Sequence, residues 1–275
     1  MHTVTVVGPH ASDLVERLVG ELATDGSVAT VSSLPVAPAP GFEDAIGYTA
    51  VGAGVSVGRS SDGWTAYNDS DDRPVSDILD ELAPNHDYCL LDGVAEVTLP
   101  TITINDADHA GESIATVTDP NDCALEPLLA AIEGTDPHET LGSLVERVKR
   151  SPHADRAGAI ATFTGRVRVK NDPDDAPTKQ LEFEAYEDVA AERLRTIRSE
   201  LEDRDGVYDV CLHHRTGVIE RGEDIVFVVV LAGHREEAFR TVQDGINRLK
   251  DEVPFFKKEV TTDDEFWVHE RSQTP

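Results

Sequence analysis

The chain is 275 residues long and carries 53 Asp and Glu against 24 Lys and Arg, a formal charge of −29. That length allows two domains, each burying its own core, while the acidity excludes the basic stripe that a nucleic-acid surface needs, and the lack of any 18-residue apolar run excludes a spanning helix. Charge is uneven: residues 1–136 hold 24 acidic groups against three Arg and no Lys, net −21, whereas residues 137–275 are net −8.

Val4 to Val7 is a short β-branched run that stops at Gly8, and Leu14, Val15, Leu18, Val19 and Leu22 follow at helical spacing, which reads as strand, turn and helix. Further apolar segments are expected as strands at 28–31, within 48–57, at 88–91 before Asp92-Gly93 and at 101–104, with a helix over 125–132. Short strands alternating with helices predict an α/β domain on a mainly parallel sheet. A nucleotide-binding loop would sit after the first strand. Gly8-Pro9-His10-Ala11-Ser12-Asp13-Leu14 lacks the second glycine, the lysine and the metal-binding hydroxyl of Gly-x-x-x-x-Gly-Lys-Ser/Thr. A scaffold or docking role is expected of this domain, with anion binding at the bare helix N-terminus as the alternative.

Glu133-Gly134-Thr135-Asp136-Pro137 separates two periodic stretches, which places the boundary there and gives domains 1–136 and 137–275. Beyond it a helix is predicted over 140–149, a strand over 157–169, a polar loop over 170–179 and a strand over 181–186. A helix over 189–201 and strands over 207–213 and 225–231 come next. The last helix, 236–252, carries Phe239, Val242, Ile246, Leu249 and Val253 as one apolar stripe and is ended by Pro254. This half is an α+β domain.

Only six lysines serve the chain, and Lys250, Lys257 and Lys258 fall within nine positions of one another. Such a local cationic spot in an acidic protein marks where an anion or an activated carbonyl is handled. Apolar neighbours such as Phe255 and Phe256 favour a neutral amine at Lys250 or Lys257, able to act as base or nucleophile. The alternative is three lysines near a helix end interacting with its dipole. Arg166 and Arg168, at i and i+2, share one face if their strand continues, with two surface arginines as the alternative. Gly233-His234-Arg235 lies between a buried strand and a helix N-terminus, where free amides, a His and an Arg suit a phosphate; a capping His beside a solvent-facing Arg is equally open.

Phe163 to Arg168, Tyr186-Glu187, His214-Arg215-Thr216-Gly217, Gly222-Glu223, Ala232 to Arg235, Leu249-Lys250, Pro254 to Glu259 and Trp267-Val268 closely resemble the large, catalytic subunit of molybdopterin synthase, the MoaE family, over about residues 138–270. The resemblance implies an α/β hammerhead fold and a homodimer within a heterotetramer. It also implies a small ubiquitin-like sulfur carrier whose C-terminal thiocarboxylate enters the active site, and conversion of cyclic pyranopterin monophosphate into molybdopterin. Carried over by motif, Arg166, Val167 and Arg168 match the substrate-contacting strand end, His234 and Arg235 the anion-binding pair, and Lys250, Lys257, Lys258 and Glu259 the catalytic stretch. On this reading Lys250 and Lys257 are catalytic, Arg168, His234 and Arg235 fix the phosphate, and the pocket draws on both protomers. No metal or other cofactor is expected. Over residues 1–130 the turn after the first strand, Gly52-Ala53-Gly54 and Leu90-Leu91-Asp92-Gly93 resemble the MobB-type adaptor domain, without its diagnostic loop residues.

A non-catalytic adaptor that carries pterin intermediates is the competing function, and Lys250 is also a candidate acceptor for isopeptide attachment of the carrier. Uniform acidity with Arg preferred over Lys predicts a protein of concentrated salt, where the Debye length is about 3 Å at 1 M; a basic partner for the acidic half is the alternative. Cys89, Cys123 and Cys211 have no paired spacing and are expected as buried thiols. The opening residues lack a basic leader, so a soluble, cytoplasmic protein is expected.

Overall fold

The computed structural model describes residues 1–32, 56–60, 63–67, 73–170, 172–262 and 264–268. Gly52-Ala53-Gly54 and most of the strand expected within 48–57 lie outside them. The chain divides into two compact units, Met1–His138 and Glu139–Pro275.

The first unit contains β1 (His2–Val7), α1 (Ala11–Leu22), β2 (Val28–Ser32), β3 (Ser56–Ser60), β4 (Gly63–Tyr67), α2 (Val75–Leu82), β5 (Tyr88–Asp92), β6 (Thr101–Ile104), β7 (Ser113–Val117) and α3 (Glu126–Glu133). Five strands form a parallel sheet in the order β2-β5-β1-β6-β7, and β3 and β4 pair with each other as an antiparallel hairpin. Val4, Val6, Leu90, Ile102 and Ile104 pack with Leu14, Leu18, Leu128 and Ile132 of α1 and α3 on one face. Cys89 and Leu91 pack with Leu79 of α2 in a second cluster. With both faces covered, the threonines that alternate with the apolar residues of β1 and β6, Thr3, Thr5, Thr101 and Thr103, are buried as well. Gly8 leaves β1 at φ 129°, and a methyl there would lie 2.5 Å from the Ile104 carbonyl oxygen, so only glycine fits. At the start of α1, His10 makes no capping bond, and its imidazole lies 3.5 Å from the Asp13 carboxylate. The helix supplies its own anion at its positive end.

The second unit contains α4 (Leu141–Lys149), a 3-10 turn (Ala154–Arg156), β8 (Ala159–Arg166), β9 (Thr178–Ala185), α5 (Glu187–Glu202), β10 (Val207–His214), β11 (Gly217–Glu220), β12 (Asp224–Ala232), α6 (Arg235–Glu252), β13 (Phe255–Thr261) and β14 (Glu265–Val268). Two antiparallel sheets result, β10-β12-β8 and β11-β9-β13-β14. Thr140 starts α4 with a capping box: its Oγ1 accepts from Ser143 N–H at 3.0 Å, and Ser143 Oγ accepts from Thr140 N–H at 2.9 Å. β12 is covered twice. Val228 and Val230 pack with Ile197 and Leu201 of α5 and with Ala238, Val242, Ile246 and Leu249 of α6. Phe227, Val229 and Leu231 pack with Leu144 and Val148 of α4. Burial on both faces is why Asp224–Ala232 reads as an unbroken apolar run and not an alternating one.

The apolar stripe expected on α6 needs one correction. Phe239 is 66% exposed, and Ala238, at 1%, holds the core position instead. Ala238, Val242, Ile246 and Leu249 follow i, i+4 and i+3 steps, which leaves Phe239 about 100° round the helix. Arg248 binds Glu200 of α5 at 2.5 Å and Glu252 at 2.6 Å, tying the two helices together. The same guanidinium holds the Glu252 carboxyl below its ordinary range. Cys89 and Cys211 are buried, and burial pushes both thiols up to about 11, whereas Cys123 is only partly buried. Among the described residues no helix is long and apolar enough to cross a membrane.

Candidate active site

β8 and β12 pair from Ala159 opposite Ala232 at one end to Arg166 opposite Asp224 at the other. Which end a residue occupies decides what it can meet.

At the Arg166 end, Arg166 donates to the Gly222 carbonyl, and its Nε stands 3.1 Å from the Asp224 carboxylate. Its guanidinium fastens the turn at Gly222, where φ is 85°. Val167 is 2% exposed. Its N–H donates to Glu223 O at 2.9 Å, and its carbonyl accepts from Gly222 N–H at 3.0 Å. At Val167, expected on the substrate-contacting strand end, the side chain is buried and the backbone is fixed by these two bonds. The strand also stops at Arg166, short of the expected 169, so no strand face is shared with Arg168. Arg168 is exposed, and no carboxylate of the described residues lies within 4.0 Å of it.

Immediately past β12, α6 packs back along β12 and β8. Its 18 residues, at 1.5 Å each, carry it about 27 Å, so its last turn and Lys250 return to the Arg166 end. Lys250 is exposed and likewise has no carboxylate within 4.0 Å among the described residues. Phe256 is 47% exposed and meets Tyr186 edge-on with ring centres 5.7 Å apart. The apolar surroundings expected at Lys250 are thus absent, and Phe256 is not anchored in the core.

Lys257 lies opposite a core residue. β13 pairs with β9 so that Phe255, Lys257 and Glu259 lie opposite Ala185, Phe183 and Leu181, and alternation puts this set on the core-facing side. Lys257 Nζ is 4.0 Å from Glu259 Oε2, and Glu259 accepts from Thr178 Oγ1 at 2.5 Å. Lys258 takes the opposite face, 3.8 Å from Glu182 and 3.4 Å from Glu265. Adjacent in sequence, the two lysines face different environments.

His214 and Arg215 join this end. The His214 ring stacks on Phe255 with centres 3.9 Å apart and meets Phe183 edge-on at 4.8 Å. Its Nδ1 lies 2.7 Å from the Arg215 carbonyl, which fixes the tautomer with hydrogen on Nδ1 and leaves Nε2 a bare acceptor. Burial pushes its pKa down from 6.5 to about 4, against a smaller upward pull from the Arg215 carbonyl. Arg215 Nη1 donates to Asp224 O at 3.0 Å. Neither was singled out by residue chemistry; the available signal was a His-Arg pair just before Gly217, where φ is 79°.

His234 and Arg235 occupy the other end. His234 is the residue before α6, with extended backbone, but its side chain makes no capping bond, so the capping alternative is dropped. Both are exposed, and Arg235 has no carboxylate within 4.0 Å among the described residues. Nine residues of β12 at about 3.3 Å each separate the two ends by about 26 Å. One chain therefore gathers Arg166, Arg168, Lys250 and Lys257 towards one end of β12 and keeps His234 and Arg235 at the other. Among the described residues no three His, Cys, Asp or Glu side chains converge to hold a metal ion.

Comparison with known proteins bears on this arrangement. A family model described as MoaE protein matches residues 136–252. A probable molybdopterin synthase of Haloferax volcanii is 50% identical over 273 residues, covering 98% of this chain and 100% of the relative. The molybdopterin synthase catalytic subunit of Pyrococcus abyssi is 37% identical over 118 residues, 43% of this chain and 78% of that protein. The crystal structure of Bacillus subtilis MobB covers 49% of this chain and 100% of its own, at 16% identity and a TM-score of 0.36, too slight a likeness to build on.

Proposed function

Since the chain belongs to the molybdopterin synthase family, we infer how its residues carry out sulfur transfer in the making of the molybdenum cofactor. It acts as a sulfur transferase: cyclic pyranopterin monophosphate is the substrate, and a small ubiquitin-like carrier brings sulfur as a C-terminal thiocarboxylate. Two sulfurs are installed to give the dithiolene of molybdopterin.

The observation that supports this reading is the gathering of Arg168, Lys250 and Lys257 towards one end of β12, with His234 and Arg235 at the turn that follows its other end. In a chain with 53 acidic residues, Arg168, Arg235 and Lys250 are among the described cations with no carboxylate within 4.0 Å, as are Arg17, Arg156, Lys170, Lys179, Arg195, Arg221 and Arg240. Unpaired cations in such a field are held ready for an anion from outside. Arg168, His234 and Arg235 fix the phosphate, while Lys250 and Lys257 supply and accept protons as the ring opens and sulfur is transferred. Arg166 and Val167 hold the backbone of the strand end, and Glu259 keeps Lys257 in place; Lys258, with two carboxylates, has a supporting part.

The separation of about 26 Å along β12 favours a homodimer in which the lysine end of one protomer meets the His234-Arg235 end of the next. Together with two carriers this makes a heterotetramer. A salt-rich cytoplasm fits the charge of −29. The first unit serves as a scaffold. Lys250, exposed and unpaired, is also open to an isopeptide bond with the carrier.

The test is dithiolene product formation from cyclic pyranopterin monophosphate and thiocarboxylated carrier in concentrated salt. Wild type makes product, while Lys257→Ala and Lys250→Ala lose at least about 100-fold in rate and stay folded. Product from neither wild type nor variants, with carrier binding intact, would instead make the chain a non-catalytic adaptor.

A further inference from the structure

The end of the sheet that carries His234 and Arg235 has another cation. The 3-10 turn Ala154–Arg156 leads into β8, and Gly158 N–H donates to Ala232 O at 3.1 Å, so this segment runs beside the Ala232–Arg235 turn. The two backbones are as close as glycine allows, since a methyl on Gly158 would lie 2.6 Å from the Gly233 carbonyl oxygen. Tyr208, near the start of β10, bridges them. A methyl on Gly233 would lie 3.4 Å from the Tyr208 hydroxyl, and the Arg156 guanidinium carbon sits 5.0 Å from the centre of the same ring.

Arg156 has no carboxylate within 4.0 Å among the described residues, even though Asp155 precedes it. An aromatic face orients a guanidinium without neutralising it, whereas a carboxylate does both and occupies the donors. Arg147, Arg193, Arg198, Arg204 and Arg248 are each held by carboxylates, and Arg195, Arg221 and Arg240, which have none within 4.0 Å among the described residues, have no aromatic ring beneath the guanidinium there either. Arg156 is held by a ring and keeps its charge and its donor fork available.

We propose that Arg156, positioned by Tyr208, completes the anion subsite begun by His234 and Arg235 and binds a phosphate oxygen of the pterin substrate. The proposal rests on the reading of that end as the phosphate side of the shared pocket.

The experiment is steady-state kinetics of the full chain with thiocarboxylated carrier and varied cyclic pyranopterin monophosphate, at about 1 M salt. At that ionic strength the Debye length is about 3 Å, so a distant charge is screened and only direct contact registers. Arg156→Ala raises KM about tenfold with kcat within about twofold, the signature of lost uniform binding. Tyr208→Leu reproduces the rise, Arg156→Lys recovers part of it because charge returns without the planar fork, and Arg195→Ala on α5 leaves KM unchanged. An unchanged KM in Arg156→Ala beside a raised KM in Arg235→Ala overturns the proposal and leaves the phosphate end intact. An unchanged KM in both overturns the reading of that end itself, and a fall in kcat alone in Arg156→Ala also rejects the substrate contact.

Discussion

His214 shows how one side chain can link the stability of the second unit to its chemistry. Its neutral ring fills the space between Phe183 and Phe255, two residues before Lys257 along β13. Folded, it resists protonation down to about pH 4; unfolded, it takes up a proton near 6.5. Between those values the unfolded state binds more protons, so the contribution is intact above about 6.5 and is lost as pH falls towards 4. His214→Phe keeps the stacked ring and removes the titration. Measured by chemical denaturation in concentrated salt, the stability gap between wild type and variant should move in favour of the variant by about 2–3 kcal/mol from pH 6.5 to pH 4. A gap independent of pH would mean that the ring is hydrated in the folded state. The lysines, arginines and His234 were legible as a set because cations are scarce in this sequence. The burial of Val167 and the opposite facings of Lys257 and Lys258 were not, since both depend on which strand lies alongside.

The long elements were legible, and so were the short strands β1, β2, β5 and β6 and the helix α3, whose apolar residues cluster tightly; other short elements were not. α6 and β12 differ from expectation by a residue or so at each end, because a long helical period and a doubly covered apolar run are unambiguous signals. α2, only eight residues long, β7 and β11 were missed, as were β13 and β14. Phe-Phe-Lys-Lys-Glu shows no two-residue alternation, since each face of β13 carries both an aromatic and a lysine. The close passage of Gly158 beside Gly233 is also invisible in sequence, yet it sets the His234-Arg235 turn. Gly158→Ala drives a methyl against the Gly233 carbonyl oxygen and should cost about 1–3 kcal/mol, read as a lower denaturation midpoint, with a raised KM for the pterin. A variant as stable as wild type would mean that the turn shifts freely.

For the whole molecule, charge and symmetry make separate predictions. At −29 the chain repels itself when salt is removed, so its melting temperature should fall by more than about 10 °C between 2 M and 0.1 M potassium chloride, followed by circular dichroism. An unchanged melt would favour the alternative of a basic partner. The proposed shared pocket predicts that Lys257→Ala, inactive alone, and Arg235→Ala, whose raised KM leaves it nearly inactive at low substrate, regain about a quarter of wild-type activity at that substrate level when unfolded and refolded together, because half the dimers are mixed and one of their two sites is whole. No recovery would put both groups in one protomer. The proposed shared pocket also has a kinetic consequence. A chain fresh from the ribosome would own two halves of different pockets and no complete one, so its folding alone would not start catalysis. Activity would begin only at the encounter of a second copy, and the lag before product would shorten as synthesis quickens, making the birth of the enzyme a second-order event.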